Sequence, residues 1–184
     1  LSSLPQGLKI QLGAQSPEAA SCLLKAPTSA ALAHGFELFS RAYLTDGSLI
    51  EVEAGSVITA PIHLLHIASL PEHYSAYRHH LTLGPNARLS VIESYVGNHR
   101  ESALTVSVTT AKVGESASLH HVKLQNEGEG TIHFGAIDAD QSKSAQFSQC
   151  HIALGAAIAR TEIHARLEQN ADSQLDELCV ATGK

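Results

Sequence analysis

Residues 77 to 97 read Tyr77-Arg-His-His-Leu-Thr-Leu-Gly-Pro-Asn-Ala-Arg-Leu-Ser-Val-Ile-Glu-Ser-Tyr-Val-Gly97, and this stretch decides the fold class. Leu81 and Leu83 alternate with polar residues, the period-2 signature of a half-buried strand. Gly84-Pro85-Asn86 ends that strand: Gly accepts unusual backbone angles, Pro fixes its own, and Asn suits a turn. Ala87, Leu89 and Val91 then resume the alternation. The stretch is a strand, a turn and a strand.

The same pattern recurs along the chain. A turn residue is followed by two spacers, a small residue, one spacer and a large apolar residue. It reads Gly84…Ala87-Arg88-Leu89, then Gly114…Ala117-Ser118-Leu119. Weaker copies read Ser142…Ala145-Gln146-Phe147 and Asn170…Ser173-Gln174-Leu175, and an upstream copy reads Glu53…Ser56-Val57-Ile58. The small residues fall at 56, 87, 117, 145 and 173, at intervals of 31, 30, 28 and 28. Leu104-Val106-Val108, Ile132 with Phe134, and Ile163 sit midway between successive copies. Each period is therefore read as two coils of about 14 to 15 residues, each with strands of four or five residues. A single coil cannot bury its own apolar face, so stacking must bury it. The fold class expected is mainly β: a parallel β-helix, or solenoid, with a small N-terminal helical cap. An antiparallel sandwich is the alternative, but its turns recur every 8 to 12 residues.

Two regions are expected, an N-terminal segment with short helices over 1–45 and a β-helix core over 46–184. In the first, Gly7 to Gly13 holds a short strand. Ser16-Pro17-Glu18 starts a helix that runs to about Leu24, with Pro at its first position. Thr28 to Leu44 is a second helix, since Leu32, Phe36, Phe39 and Tyr43 fall on one helical face. That face is expected to dock on the first coil and cap it. Asp46-Gly47 reads as a turn, followed by strands over 48–53 and 58–69, with Pro61 at a strand start or edge.

With 184 residues the chain can bury a substantial core. The net charge of −6, with 12 Lys and Arg and no basic stripe, points away from nucleic acid. No apolar run is long enough to span a bilayer, and no signal sequence opens the chain, so no membrane partner is expected. Cys22, Cys150 and Cys179 are odd in number and widely spaced, which argues against a disulfide framework and suits a reducing cytoplasm. The chain lacks Met altogether and ends just after a strand-like run, and is read as part of a longer protein whose core is cut short at its C-terminal end.

Twelve His residues invite a metal reading, because neutral imidazole binds Fe, Zn or Cu. The candidates are His63, His66, His79, His80, His120, His121, His133, His151 and His164. Their offsets from the small-residue register give no clean ladder. Adjacent residues of a strand face opposite ways, so His79-His80 and His120-His121 cannot each grip one ion. The plainer reading sends one of each pair inward and the other to solvent. The same alternation separates Cys150 from His151, and a buried Cys acts as a small hydrophobe. No HExxH, P-loop, GxSxG or H-x-H pattern occurs. Asp138-Ala-Asp140 and Asp176-Glu177 read as solvated turns or edges. On the residues alone no catalytic or metal residue is assigned.

Taken in order, Gly47-Ser-Leu-Ile-Glu-Val-Glu-Ala-Gly55, Pro61-Ile-His-Leu-Leu65, Tyr77-Arg-His-His-Leu81, Glu93-Ser-Tyr-Val-Gly97, Leu119-His-His-Val-Lys-Leu-Gln125 and Leu154-Gly-Ala-Ala-Ile-Ala-Arg160 resemble the SufB/SufD scaffold family of the SUF iron–sulfur cluster assembly system. The likeness is closer to its SufD branch than to its SufB branch, whose core carries more cysteines. The resemblance implies a right-handed parallel β-helix acting as a cytoplasmic, non-enzymatic scaffold, paired with a SufB-type paralogue (or as a homodimer) and served by a SufC-type ATPase. It implies a cluster assembled by the complex and passed to apo-proteins, ATP used by the partner and no cofactor of this chain's own. Members of the family continue past the point matching Lys184 into further coils, a helical segment and a late Cys-Ser-His-Gly-type motif; no residue here matches that motif, so no functional residue carries over. The other classes considered are a β-helical carbohydrate-active enzyme, which needs clustered carboxylates in a groove, and a purely structural solenoid. A further expectation is that the open strand edges near Leu175 to Val180 meet a partner.

Overall fold

The structure is a computed structural model that describes residues 4–25, 35–68, 72–97 and 102–180. Eleven strands and two α-helices are described. Strand β1 is Leu8–Leu12, helix α1 is Pro17–Leu23 and helix α2 is Gly35–Ala42. The remaining strands are β2 Asp46–Val52, β3 Ile62–Ala68, β4 Tyr74–Leu83, β5 Arg88–Gly97, β6 Ala103–Val113, β7 Ser118–Asn126, β8 Thr131–Gln141, β9 Gln146–Ala153, β10 Ile158–Leu167 and β11 Asp172–Cys179.

Even-numbered strands form one sheet with β1, in the order β1-β2-β4-β6-β8-β10, and odd-numbered strands form the other, β11-β9-β7-β5-β3. Every pairing from β2 onward is parallel; only β1 runs antiparallel, against β2. The chain thus winds through five coils, β2–β3, β4–β5, β6–β7, β8–β9 and β10–β11. This is the expected parallel solenoid.

Coil length differs from the expectation. One coil, not two, fills each period, and its strands are seven to eleven residues long. The apolar beat midway between turns marks the second sheet of the same coil rather than a second coil. The last repeat also shifts. Gln146 pairs with Asp172, so the residue stacked on Ala145 is Ala171, not Ser173. The true series is Ser56, Ala87, Ala117, Ala145 and Ala171, and the final interval is 26 residues.

The tight corner explains that series. Each small residue closes a four-residue turn through its N–H: Ala87 N–H to Gly84 O at 3.1 Å, Ala117 to Gly114 at 3.0 Å, Ala145 to Ser142 at 3.0 Å and Ala171 to Glu168 at 3.1 Å. The residue before it is left-handed every time, with φ of +73° at Gly55, +58° at Asn86, +57° at Ser116, +58° at Ser144 and +58° at Asn170. A positive φ at the third turn position is the type II arrangement, with Pro85 in its favoured second place. The small residue's side chain points into the stack, where Ala87, Ala117 and Ala145 are fully buried.

Behind this corner the lumen is apolar, packed by Ile50, Leu81, Leu89, Leu119, Ile137 and Phe147 among others. At the N-terminal end, β1 covers the open edge of β2 and packs Leu8 and Ile10 on the core, so a strand rather than the expected second helix closes that end of the first sheet. Helix α1 starts as expected, with Ser16 Oγ accepting from Ala19 N–H at 3.2 Å and Pro17 at the first position. Helix α2 lies on the outer face of the first sheet, against β4, β6 and β8. Phe36 stacks on Phe134 of β8 at 4.0 Å. Leu32 and the start of the expected second helix lie outside the described residues. Asp46-Gly47 opens β2 rather than forming a turn, its carboxylate accepting from Ala14 N–H at 3.0 Å. Gly47 is needed because β2 and β4 approach closely there: a Cβ would sit 2.0 Å from Arg78 O.

Candidate functional site

The half of the lumen away from the tight corner is polar. Strand parity places Glu93 and Tyr95 of β5, His121, Lys123 and Gln125 of β7, and Gln149 and His151 of β9 inward from one sheet. From the other, His79 of β4, Ser107 and Thr109 of β6, and His133 of β8 face them. All are buried. Burying so many polar groups is tolerable only if they satisfy one another.

Donor chemistry fixes the direction of most bonds. Glu93 accepts from His121 Nε2 at 3.0 Å and Thr109 Oγ1 at 2.6 Å on one oxygen, and from Tyr95 Oη at 3.1 Å on the other. Burial alone would raise the Glu93 pKa, but His121, by charge and hydrogen bond, and Lys123 beside it outweigh that and hold it well below the ordinary value. Glu127 accepts from His133 Nδ1 at 2.6 Å, Thr105 Oγ1 at 2.6 Å and Gln125 Nε2 at 3.1 Å. Because Nδ1 of His133 donates, its Nε2 is free to accept from Ser107 Oγ at 3.3 Å. Ser107 in turn accepts from Lys123 Nζ at 2.7 Å. A directional chain therefore runs from Lys123 through Ser107 and His133 to Glu127.

Lys123 is the buried cation between two buried carboxylates. It stacks in register between Glu93 and His151, with its ammonium 5.1 Å from the centre of the Tyr95 ring. Burial lowers its pKa to about 8 against the pull of Glu93 and Glu127. Gly135 makes room for it, since a Cβ there would meet Nζ at 2.3 Å. Next to this cluster His66 Nε2 of β3 faces His79 Nε2 of β4 at 3.1 Å. Burial pushes the His66 pKa down to about 3 and lowers that of His79, so both rings are neutral. Three buried atoms have no partner in the next rung: His121 Nδ1 and both amide atoms of Gln149. His121 and Gln149 stack on each other, a place suited to an internal water.

The face alternation expected of the paired histidines is present. His79 and His121 point inward, while His80 and His120 point outward; His120 Nδ1 meets Ser148 Oγ at 3.0 Å. His63 is also outside, against Ser94 Oγ at 2.8 Å, and His164 stands on the outer face of β10. His151 faces the lumen and meets Glu177 Oε1 at 3.3 Å, while Cys150 faces out. Cys22, Cys150 and Cys179 are free thiols in three separate places. Asp138 and Asp140 lie within β8 rather than in a turn, and Asp140 pairs with Arg166. Among the described residues no three His, Cys, Asp or Glu gather as a metal site. Glu93, Lys123, Glu127 and Tyr95 went unnoticed in the sequence. The signal was there for Glu93, which shares the parity of Val91, a core position; its partners come from other coils and could not be read.

The region 66–184 matches the family described as SUF system FeS cluster assembly, SufBD core domain. This chain belongs to the SufBD core family. Among curated proteins, iron-sulfur cluster assembly protein SufD of Escherichia coli (strain K12) is 29% identical over 136 residues, covering 71% of this chain and 32% of that relative. The aligned part therefore amounts to about a third of the relative's length. The match begins at His66, in the first coil, so the family pattern covers the stack from β3 onward.

Proposed function

We propose that this chain is part of a SufD-type scaffold subunit, which assists the assembly of iron–sulfur clusters and their transfer to apo-proteins without catalysing a reaction itself. In this reading its partners are a SufB-type paralogue and a SufC-type ATPase, and ATP hydrolysis belongs to the latter. The observation that carries it is the SufBD core match over residues 66–184, joined to the likeness to a protein named SufD.

The chemistry of the surfaces supports a scaffold. The outer face of the second sheet presents Leu65, Ile67, Ile92, Val122, Leu124 and Leu178 with few charges, and Leu65, Ile67 and Leu178 are more than half exposed. Broad apolar faces of that kind serve protein contacts. The carboxylates that gather with other polar groups, Glu93 and Glu127, are buried at 0% and 5% exposure. A sugar chain could not reach them, which disfavours the carbohydrate-enzyme reading.

The test is co-purification. Full-length tagged protein is produced together with SufB-type, SufD-type and SufC-type proteins from the same source. Elution with the SufB-type and SufC-type proteins is expected. Capture of a SufD-type paralogue in place of the SufB-type one would reassign this chain to the other branch, and elution alone would count against the scaffold reading.

A further inference from the structure

We propose that His66 and His79 form a two-imidazole site for one divalent first-row transition-metal ion inside the solenoid. The site stands on the geometry of this chain and does not depend on the SufD-type reading.

His66 lies on β3 in the first coil and His79 on β4 in the second. The two strands belong to opposite sheets and both side chains point inward, so the rings meet across the lumen. Their Nε2 atoms are 3.1 Å apart. Two imidazoles on one tetrahedral ion, with metal–nitrogen bonds of about 2.0–2.1 Å, hold their nitrogens about 3.3 Å apart. The pair is set at nearly that separation.

A plain hydrogen bond between the rings would also fit the distance, and three surroundings favour the ion. Ser48 Oγ lies 2.9 Å from Nδ1 of His79 and is itself buried. With the proton on Nδ1 donated to that oxygen, Nε2 presents a lone pair, the support that metal-bound histidines use. The His66 ring is wedged between Tyr95, stacked at 4.7 Å, and Tyr77 at 4.1 Å, which fixes its aim. The ionised, fully buried Glu93 faces the same compartment and offsets positive charge there.

A cavity of about 200 Å³ lies beside the site, lined in part by Ile67 and Ala68, which follow His66 in β3, and by Tyr77, whose ring packs on His66. Since no third His, Cys, Asp or Glu converges among the described residues, the chain supplies two ligands. Water or an incoming ligand completes the shell, as in open zinc sites. Two neutral nitrogens select borderline ions such as Co²⁺, Zn²⁺ or Fe²⁺ over Mg²⁺ or Ca²⁺.

The test uses the full-length protein, stripped with chelator and titrated with Co²⁺. One ion per chain is expected, with visible absorption of nitrogen-bound Co²⁺, displaced by Zn²⁺ but not by Mg²⁺. His66→Gln and His79→Gln should each weaken it more than tenfold. Because His79 is buried and His66 partly so, Ser48→Ala serves as the gentler arm; it keeps the ligands and should weaken binding about tenfold. His120→Ala, on the outer face, should leave this ion in place. An anomalous-scattering map should put the ion between the two Nε2 atoms. The proposal is overturned if no ion binds at stoichiometric Co²⁺, or if His66→Gln, His79→Gln and Ser48→Ala leave the bound ion unchanged while His120→Ala removes it.

Discussion

At the scale of single residues, the lumen is dominated by imidazoles that burial holds neutral. The pKa of His66 falls to about 3 and that of His151 to about 4, in each case chiefly through burial. His79 and His133 shift the same way, as does the half-buried His80 on the outer face, to about 4. In the unfolded chain each returns to about 6.5. Between about pH 6.5 and pH 4 the unfolded chain therefore binds more protons than the native one, and stability falls as the pH falls. Glu93 and Glu127, both lowered, add to the loss below the ordinary carboxylate range. Asp138 opposes it: burial and Asp140 raise its pKa to about 7, so it holds a native proton that the unfolded chain releases. Five imidazoles against one carboxyl give a clear sign. The midpoint of urea unfolding is expected to be lower at about pH 5 than at about pH 7. A higher midpoint at the acid end would show that Asp138 governs. How much of this was legible divides cleanly. That His79 and His121 face inward and His80 and His120 outward follows from strand parity alone. That His66 meets His79, or Lys123 reaches Ser107, depends on which residues oppose each other across the lumen, and no local period encodes that.

At the scale of elements, the tight corner is the unit that sets coil register. Its third residue is left-handed in every coil, and only the first, Gly55, is glycine. Asn86 and Asn170 tolerate this conformation, but Ser116 and Ser144 do so at a cost. Ser116→Gly should therefore raise stability by up to about 1 kcal/mol, while Ser116→Val should lower it by about 1–2 kcal/mol. Thermal unfolding of the two variants checks the ordering; equal melting temperatures would mean the corner relaxes away from positive φ. The same corner explains an error of reading. In the last coil Asn170 is the third turn residue, matching Asn86, not the first, matching Gly84. The repeated Asn-Ala pair at 86–87 and 170–171 carried that information, but a fixed interval concealed it because the coils shorten along the chain. Helix α2 was legible as an amphipathic helix, not as to where it docks. Arg78, on the outer face of β4, decides that. It is buried and donates to Glu37 Oε1 at 3.1 Å, Ser40 Oγ at 2.7 Å and Leu23 O at 2.7 Å. A lone Arg in a strand gives no hint that it pins two helices to the side of the stack.

At the scale of the whole molecule, each coil is buried by the one that follows it. The inward columns show this directly. Leu119 and Phe147 are 1% and 2% exposed, and His121 and Gln149 are both at 0%, but Leu175, next in the same column, is 47% exposed. Nearly all of β11 is exposed, and so are both ends of β10. Their outer edges pair with no further strand among the described residues. Unpaired edges of this kind recruit another strand. In a stack whose stability is a sum of coil and interface terms, coils with one neighbour open more readily than coils with two. Hydrogen exchange of residues 1–184 on their own should thus be slowest in β6, β7 and β8 and fastest in β10 and β11. A mass spectrum resolved by peptide would read the gradient directly. With a partner strand bound at this edge, β10 and β11 should gain protection while β6 and β7 change little. Equal protection across all five coils would mean that the stack opens as one unit, and that the exposed last rung contributes as much as the enclosed ones.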